Sequence, residues 1–286
     1  MAYSTKASQS VIRPCRGAGD IERFLRDVAG HVDFREIEMR RVGYEAEVEA
    51  RGGKQITQWS NLRHAGHATA QRRRIKLHNK IRASLLNQDA KAADGQSPIA
   101  VIVLGPPGSG KTTLAAPFAR RTFKVQFSAI NPDDVKAMLP EYEGWNADVL
   151  HEESSDVAER DIARHAVYRR LNIIYDIVGK SSEKVDAAIK DFDALGYQVY
   201  VVLTDLPSWK AAGRAWDRFQ ENPFRRTLSK PPGRFVPPEY VHREVGSNPR
   251  KTFDSVKRDK LVRGYCRLDV DVPRNSPPKI VERKGM

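Results

Sequence analysis

Cysteine is nearly missing from this sequence: Cys15 and Cys266 are the only two in 286 residues, far apart and in no metal-ligand or redox spacing. That excludes a disulfide framework, and both residues are read as ordinary thiols. Long apolar runs are missing too. None approaches the ~20 residues needed to span a bilayer, and no apolar segment follows a basic one at the amino terminus. Neither a membrane span nor a signal peptide is expected, and the cytoplasm is the default location. There is no Asn-Lys-x-Asp base-reading motif, which argues against a GTP switch. Acidic residues are absent from Lys54 to Gln88, where Lys54, Arg63, Arg72, Arg73, Arg74, Lys76, Lys80 and Arg82 are basic.

With 40% apolar and 30% charged residues the composition is that of a globular chain, long enough for one α/β core and a smaller appendage. Its most informative stretch is Ile99-Ala-Val-Ile-Val-Leu-Gly-Pro-Pro-Gly-Ser-Gly-Lys-Thr-Thr113, an apolar run feeding G-x-x-x-x-G-K-T. Gly105, Gly108 and Gly110 let the loop through Pro106, Pro107 and Ser109 curl so that backbone N–H groups point at phosphate oxygens. Lys111 then reaches the β/γ-phosphates and Thr112 can hold Mg²⁺. A helix opening at Thr113 adds its positive end to the anion site. A strand before and a helix after agree with the motif, so a nucleotide-binding protein is predicted.

The net charge of +13 suits a nucleic-acid partner, and equally an enzyme whose two substrates both carry phosphates. Residues 1–96 read as a basic, mostly helical region, and 97–286 as the phosphate-loop domain. Asp94-Gly-Gln-Ser-Pro98 is the turn-forming joint between them. Ile21 to Val28 has apolar residues at i, i+3, i+4 and i+7, an amphipathic helix, while Tyr44 to Val48 hints at alternation. Leu77, Ile81 and Leu85 recur at helical spacing, which favours a packed helix with a solvated basic face over an RNA or acidic-partner surface.

Past the phosphate loop, strand and helix alternate as a parallel sheet requires. Lys124 to Ile130 reads as a strand ending in Asn131-Pro-Asp-Asp-Val-Lys136, a turn into a helix. Glu153 to Leu171 reads as a helix, Asn172 to Asp176 as a buried strand, Ser182 to Gly196 as a capped helix, and Tyr197 to Thr204 as the next strand. The predicted fold class is α/β, a phosphate-loop NTPase-type parallel sheet flanked by helices, with a helical amino-terminal region. Ligands of such sheets sit beyond the carboxyl ends of the strands. That gathers Lys111, Asp133, Asp134, Asp176 and the region after Thr204 around one crevice. Asp133 has the better claim to accept a proton from a phosphoryl acceptor, whereas Asp134 reads equally well as a helix cap. Asp176 is either a magnesium carboxylate or part of the acceptor site. Beyond Thr204, Lys210, Arg214, Arg218, Arg225, Arg226, Lys230 and Arg234 form a basic segment. Its arginines, Arg214 and Arg218 on one helical face, could close over a phosphate in transit.

From Pro98 to Lys260 the sequence resembles the zeta toxin family of kinases. The resemblance is carried by Gly105 to Thr113, Asn131-Pro-Asp-Asp-Val-Lys136, Leu139-Pro-Glu-Tyr, His151-Glu-Glu-Ser-Ser155 and an arginine-bearing lid ending Gly233-Arg-Phe-Val-Pro-Pro-Glu-Tyr240. It implies an ATP-dependent kinase with Asp133 as general base, Lys111 and Thr112 on nucleotide and magnesium, and Arg218 and Arg234 on the phosphates. It also implies acceptor contacts by His151, Asp161, Asp176 and Lys180. Ile177-Val178 stand before Gly179 where the family has a small Gly-Thr pair, which bears on the acceptor. Family members phosphorylate a UDP-linked amino sugar, UDP-N-acetylglucosamine, and are restrained by a small helical antitoxin. A related group of effectors, delivered into a target cell, phosphorylates NAD. The implied partners are therefore ATP, a nucleotide-linked acceptor, and an antitoxin or chaperone.

Two other readings stand beside this one. A polynucleotide 5′-kinase would use the basic charge on a phosphate backbone, yet between Lys54 and Gln88 only Trp59 offers a base-stacking aromatic. A nucleotide-binding interaction module without transfer would not need Asp133 and a lid.

Overall fold

The apolar run ahead of the phosphate loop forms strand β1 (Ile99–Leu104), and its side chains divide between two cores. Ala100, Ile102 and Leu104 enter one, Val101 and Val103 the other. A strand buried on both faces is what a helix-covered parallel sheet demands. The computed structural model describes residues 12–50, 68–225, 232–273 and 276–286. Within them the other strands are β2 (Ser128–Ile130), β3 (Ile173–Ile177), β4 (Gln198–Asp205), β5 (Val262–Asp269) and β6 (Lys279–Lys284). They form one sheet of order β2-β3-β1-β4-β5-β6, parallel except that β6 returns antiparallel along β5.

Helices α1 (Ile21–Ala29), α2 (Val32–Ala50) and α3 (Ala68–Leu85) precede the sheet. After β1 come α4 (Ala116–Phe123), α5 (Pro132–Met138), α6 (His151–Ser155), α7 (Ala163–Tyr168), α8 (Ser182–Ala194), α9 (Ser208–Gln220) and α10 (Asn248–Val256). One core packs α3 through Ile81, α8 through Val185 and Ile189, and α10 through Phe253 and Val256 against the sheet. The other packs α1 through Ile21, Phe24 and Val28, α2 through Ile37, α4 through Phe118, and α9 through Ala215, Trp216 and Phe219. Burying a side chain such as Phe24 contributes roughly 1.5–3 kcal/mol. Residues on both sides of the 96/97 joint share these cores, since Ile81, Leu86 and Ala90 lie with Ala100 and Ile173.

Several sequence expectations change in detail. Tyr44 to Val48 is not extended: it continues α2, where Tyr44 and Val48, four apart, are half-buried between exposed neighbours. The strand expected over Lys124 to Ile130 pairs only from Ser128, because Lys124 ends α4 in a left-handed conformation with φ 56°. The helix expected over Glu153 to Leu171 is interrupted by π-helical turns at Asp156–Ile162. On α3, Arg72, Arg73, Lys76 and Lys80 are exposed as a basic face. Its other side is not solvated, because Arg74, His78 and Arg82 pair with Glu141, Glu153 and Asp161. Lys54, Trp59, Arg63, Arg226 and Lys230 lie outside the described residues. Both cysteines are free thiols, and burial pushes Cys266 up to about 11. Among the described residues no helix is long and apolar enough to cross a membrane.

Candidate functional site

The phosphate loop turns between β1 and a π-helical turn, Lys111–Ala115, that leads into α4. Two of its glycines are required by close approach. A Cβ on Gly105 would lie 2.0 Å from Thr204 Oγ1, and one on Gly108, at φ +84°, would lie 2.6 Å from the Ala211 carbonyl oxygen. Ser109 Oγ and Thr204 Oγ1 share a hydrogen bond of 2.7 Å, and Thr204 Oγ1 donates to the Leu104 carbonyl at 3.1 Å, which ties the loop to β4. Lys111 Nζ donates to the carbonyls of Gly105 (2.7 Å) and Pro106 (3.2 Å) and lies 3.6 Å from Asp176 Oδ1 at the end of β3. Burial pushes the Lys111 ammonium down and the Asp176 carboxyl up, each opposed by the charge of the other.

The end of β2 supplies the next group. Asn131 caps α5, its Oδ1 accepting from Asp133 N at 2.9 Å, with Pro132 in the first turn. Asp134 is therefore not the cap. It lines the cavity, and burial, then the nearby Asp176, raises its carboxyl above the usual range. Asp133 Oδ1 accepts from Lys136 Nζ at 3.1 Å, and its Oδ2 meets the Arg234 guanidinium.

From the opposite wall, α9 presents Arg214 and Arg218 one turn apart. Arg234 follows Gly233, whose N–H donates to the Asn222 carbonyl at 2.8 Å. Burial lowers both Arg218 and Arg234, the latter to about 10, and Arg234 Nε is buried without a hydrogen bond. A guanidinium so desolvated and under-satisfied is suited to receive an anion.

These groups line a cavity of about 480 Å³ together with His151, Glu159, Ile177, Val178, Gly179, Lys180, Ser181 and Lys184. It holds the loop residues Pro107 to Thr113, Asp133, Asp134, His151, Asp176, Lys180, Arg218 and Arg234 expected from the sequence, whereas Gly105 and Pro106 do not line it. The residues just after Thr204 border a neighbouring cavity instead, next to Pro106. Lys180 Nζ donates to Glu244 at 3.0 Å. Asp161 is the exception. Both its oxygens accept from Arg82 Nη1, at 2.7 and 2.9 Å, and it does not line the cavity. Glu159 lines it in place of Asp161, accepting from Tyr175 Oη at 3.2 Å and Lys184 Nζ at 2.9 Å. Both residues lie in the π-helical run Asp156–Ile162, whose spacing departs from that of an α-helix. Glu159 and Lys184 carry no motif that would have singled them out.

Compared with known proteins, residues 82–271 match a sequence model of the zeta toxin family. No curated protein matches the chain in sequence. A structure from the PezAT chromosomal toxin–antitoxin system of Streptococcus pneumoniae is similar with TM-score 0.52 and 16% identity, over 73% of this chain and 78% of that one. The AvrRxo1-ORF1:-ORF2 complex with ATP is similar with TM-score 0.53 and 20% identity, over 73% and 67%. At these identities the likeness is one of fold.

Proposed function

The chain belongs to the zeta toxin family of kinases, and on that premise we propose that it transfers the γ-phosphoryl group of ATP to a hydroxyl of a small nucleotide-linked metabolite, an acceptor of the UDP-N-acetylglucosamine type. The observation that carries this is the single cavity in which the phosphate loop, the Asp133 carboxylate, the buried Arg218 and Arg234 and a separate polar wall all converge. The loop N–H groups and Lys111 bind the donor phosphates. Asp133 takes the proton of the acceptor hydroxyl as the new P–O bond forms and the bond to the β-phosphate oxygen breaks. Arg218 and Arg234 neutralise charge on the phosphoryl oxygens in transit. His151, Glu159 and Lys180 face the acceptor. Glu159 assumes the hydroxyl-binding role that the family resemblance had laid on Asp161.

Mg²⁺ fits the donor set, since the Thr112 hydroxyl and the Asp176 carboxylate are hard oxygen ligands. Phosphoryl-transfer sites hold Mg²⁺ with one or two carboxylates plus substrate phosphates. The lack of a three-ligand cluster among the described residues is thus no obstacle. When bound, the ion supplies positive charge to the phosphate oxygens. A cognate antitoxin or chaperone is part of the reading, supported by the toxin–antitoxin system to which one fold relative belongs. The nucleic-acid reading loses support because Arg74 and Arg82, two of the basic residues behind it, are committed to internal carboxylates.

The test is incubation with γ-labelled ATP and Mg²⁺ against UDP-N-acetylglucosamine, NAD and a 5′-hydroxyl oligonucleotide, with Asp133→Ala as control. Label on the UDP-sugar that disappears in the control is the expected result. Label on NAD or on the oligonucleotide replaces the acceptor with that molecule, and no label on any of them refutes the proposed acceptor class.

A further inference from the structure

Lys136 is 2% exposed, which is rare for a lysine, and it sits beneath the cavity rather than in its lining. One turn after Asp133 on α5, its Nζ lies 3.1 Å from Asp133 Oδ1 and 3.2 Å from His151 Nδ1 on α6. Charged groups surround this pair, and Arg41 pairs with one of them, Asp148. Asp148 faces Lys136, Arg234 holds the other oxygen of Asp133, and Lys184 and Glu159 face His151.

An ammonium has three donors and no acceptor. Its contact with His151 therefore makes Nδ1 the accepting nitrogen, and a neutral ring must then carry its proton on Nε2. Burial, Lys136 and Lys184 lower the proton affinity of His151, with Glu159 opposing, so the ring is kept neutral near pH 7. Burial lowers Lys136 itself to about 8, opposed by Asp148, which leaves it mainly an ammonium at that pH.

We propose that Lys136 is a positioning residue: one buried ammonium steadies the Asp133 carboxylate and locks His151 in the Nε2-protonated tautomer, so that the ring offers a neutral N–H to an oxygen lone pair of the acceptor. The proposal rests on the acceptor-site reading of the cavity. Both ring nitrogens are then engaged or protonated, so His151 has no free lone pair for the acceptor hydroxyl. Asp133 is left as the proton acceptor beside it.

The tautomer can be read without turnover, which keeps failure of this proposal separate from failure of the kinase assay. The full chain is labelled with ¹⁵N-histidine, and its ring nitrogens are observed by NMR near pH 7. His151 is identified among the seven histidines by the signals lost in His151→Gln. The expected pattern is unprotonated Nδ1 with protonated Nε2. In Lys136→Met the ring should shift toward Nδ1 protonation or a mixture and titrate at higher pH, because the neighbouring cation is gone. A wild-type ring protonated on Nδ1 overturns the proposal, as does an unchanged His151 in folded Lys136→Met. Should that variant fail to fold, the wild-type pattern alone decides.

Discussion

Replacing Glu153 by alanine is expected to destabilise the protein severely, and the size follows from what surrounds the carboxylate. Its side chain is 2% exposed and accepts from Arg74 Nε at 2.6 Å, Arg74 Nη2 at 2.7 Å and His78 Nε2 at 2.6 Å. Removing one partner of a buried ion pair costs about 3–5 kcal/mol, because the other is left uncompensated. At roughly 2–4 °C per kcal/mol for chains of this size, Tm should fall by roughly 6–20 °C. Arg74 keeps Glu141 at 2.7 Å, which argues for the lower half of that range. Calorimetry or thermal melts followed by circular dichroism measure the shift. The double variant Arg74→Met/Glu153→Ala should lose less than the two single losses combined. A Tm within 2 °C of wild type, or fully additive losses, would refute the argument. The pH dependence has a definite sign. Burial alone would raise the Glu153 carboxyl, but the hydrogen bonds of His78 and Arg74 outweigh it and hold the group below its ordinary value. A depressed folded value means stability that is present above the unfolded value and lost as pH falls through the folded one. The gap between wild type and Glu153→Ala should therefore be full near neutral pH and narrow as pH falls below the ordinary glutamate value.

Three further outcomes test the cavity. Asp133→Asn should lower kcat by about 10²–10⁴-fold, the usual contribution of a positioned base, while titration with a fluorescent ATP analogue finds near-normal affinity. Lys111→Ala should weaken nucleotide binding and transfer together, since the ammonium sits in the mouth of the loop. Gly108→Ala should abolish nucleotide binding with little change in the far-ultraviolet spectrum. Its Cβ would meet the Ala211 carbonyl at 2.6 Å, a rigid backbone contact that α9 cannot relieve without moving.

Local chemistry was readable in advance wherever one short segment carries it. The run Ile99 to Thr113 announced a buried strand, an anion loop and a helix in one breath, and Asn131-Pro-Asp-Asp announced a cap with a carboxylate beside it. What depends on partners distant in sequence was not readable. Arg74 and Arg82 looked like a solvated basic face because Glu141, Glu153 and Asp161 lie 67 to 79 positions away. That Glu159 rather than Asp161 lines the cavity is likewise not legible from periodicity, because both lie in the π-helical run Asp156–Ile162. β5 alternates cleanly once seen, with Gly264, Cys266 and Leu268 inward, but its arginines and glycine disguise the pattern.

The two outer strands bear on how such a molecule can meet others. At one margin β2 offers only three residues; at the other, β6 follows Pro277 and Pro278 and sets charged Lys279, Glu282, Arg283 and Lys284 among its six. Short, charged or proline-flanked margins resist the addition of a foreign strand. The sheet stays open, yet neither margin invites a further strand. A protein that met this chain through its helices or loops would touch the cavity walls directly at α6 or α9, which carry His151, Arg214 and Arg218.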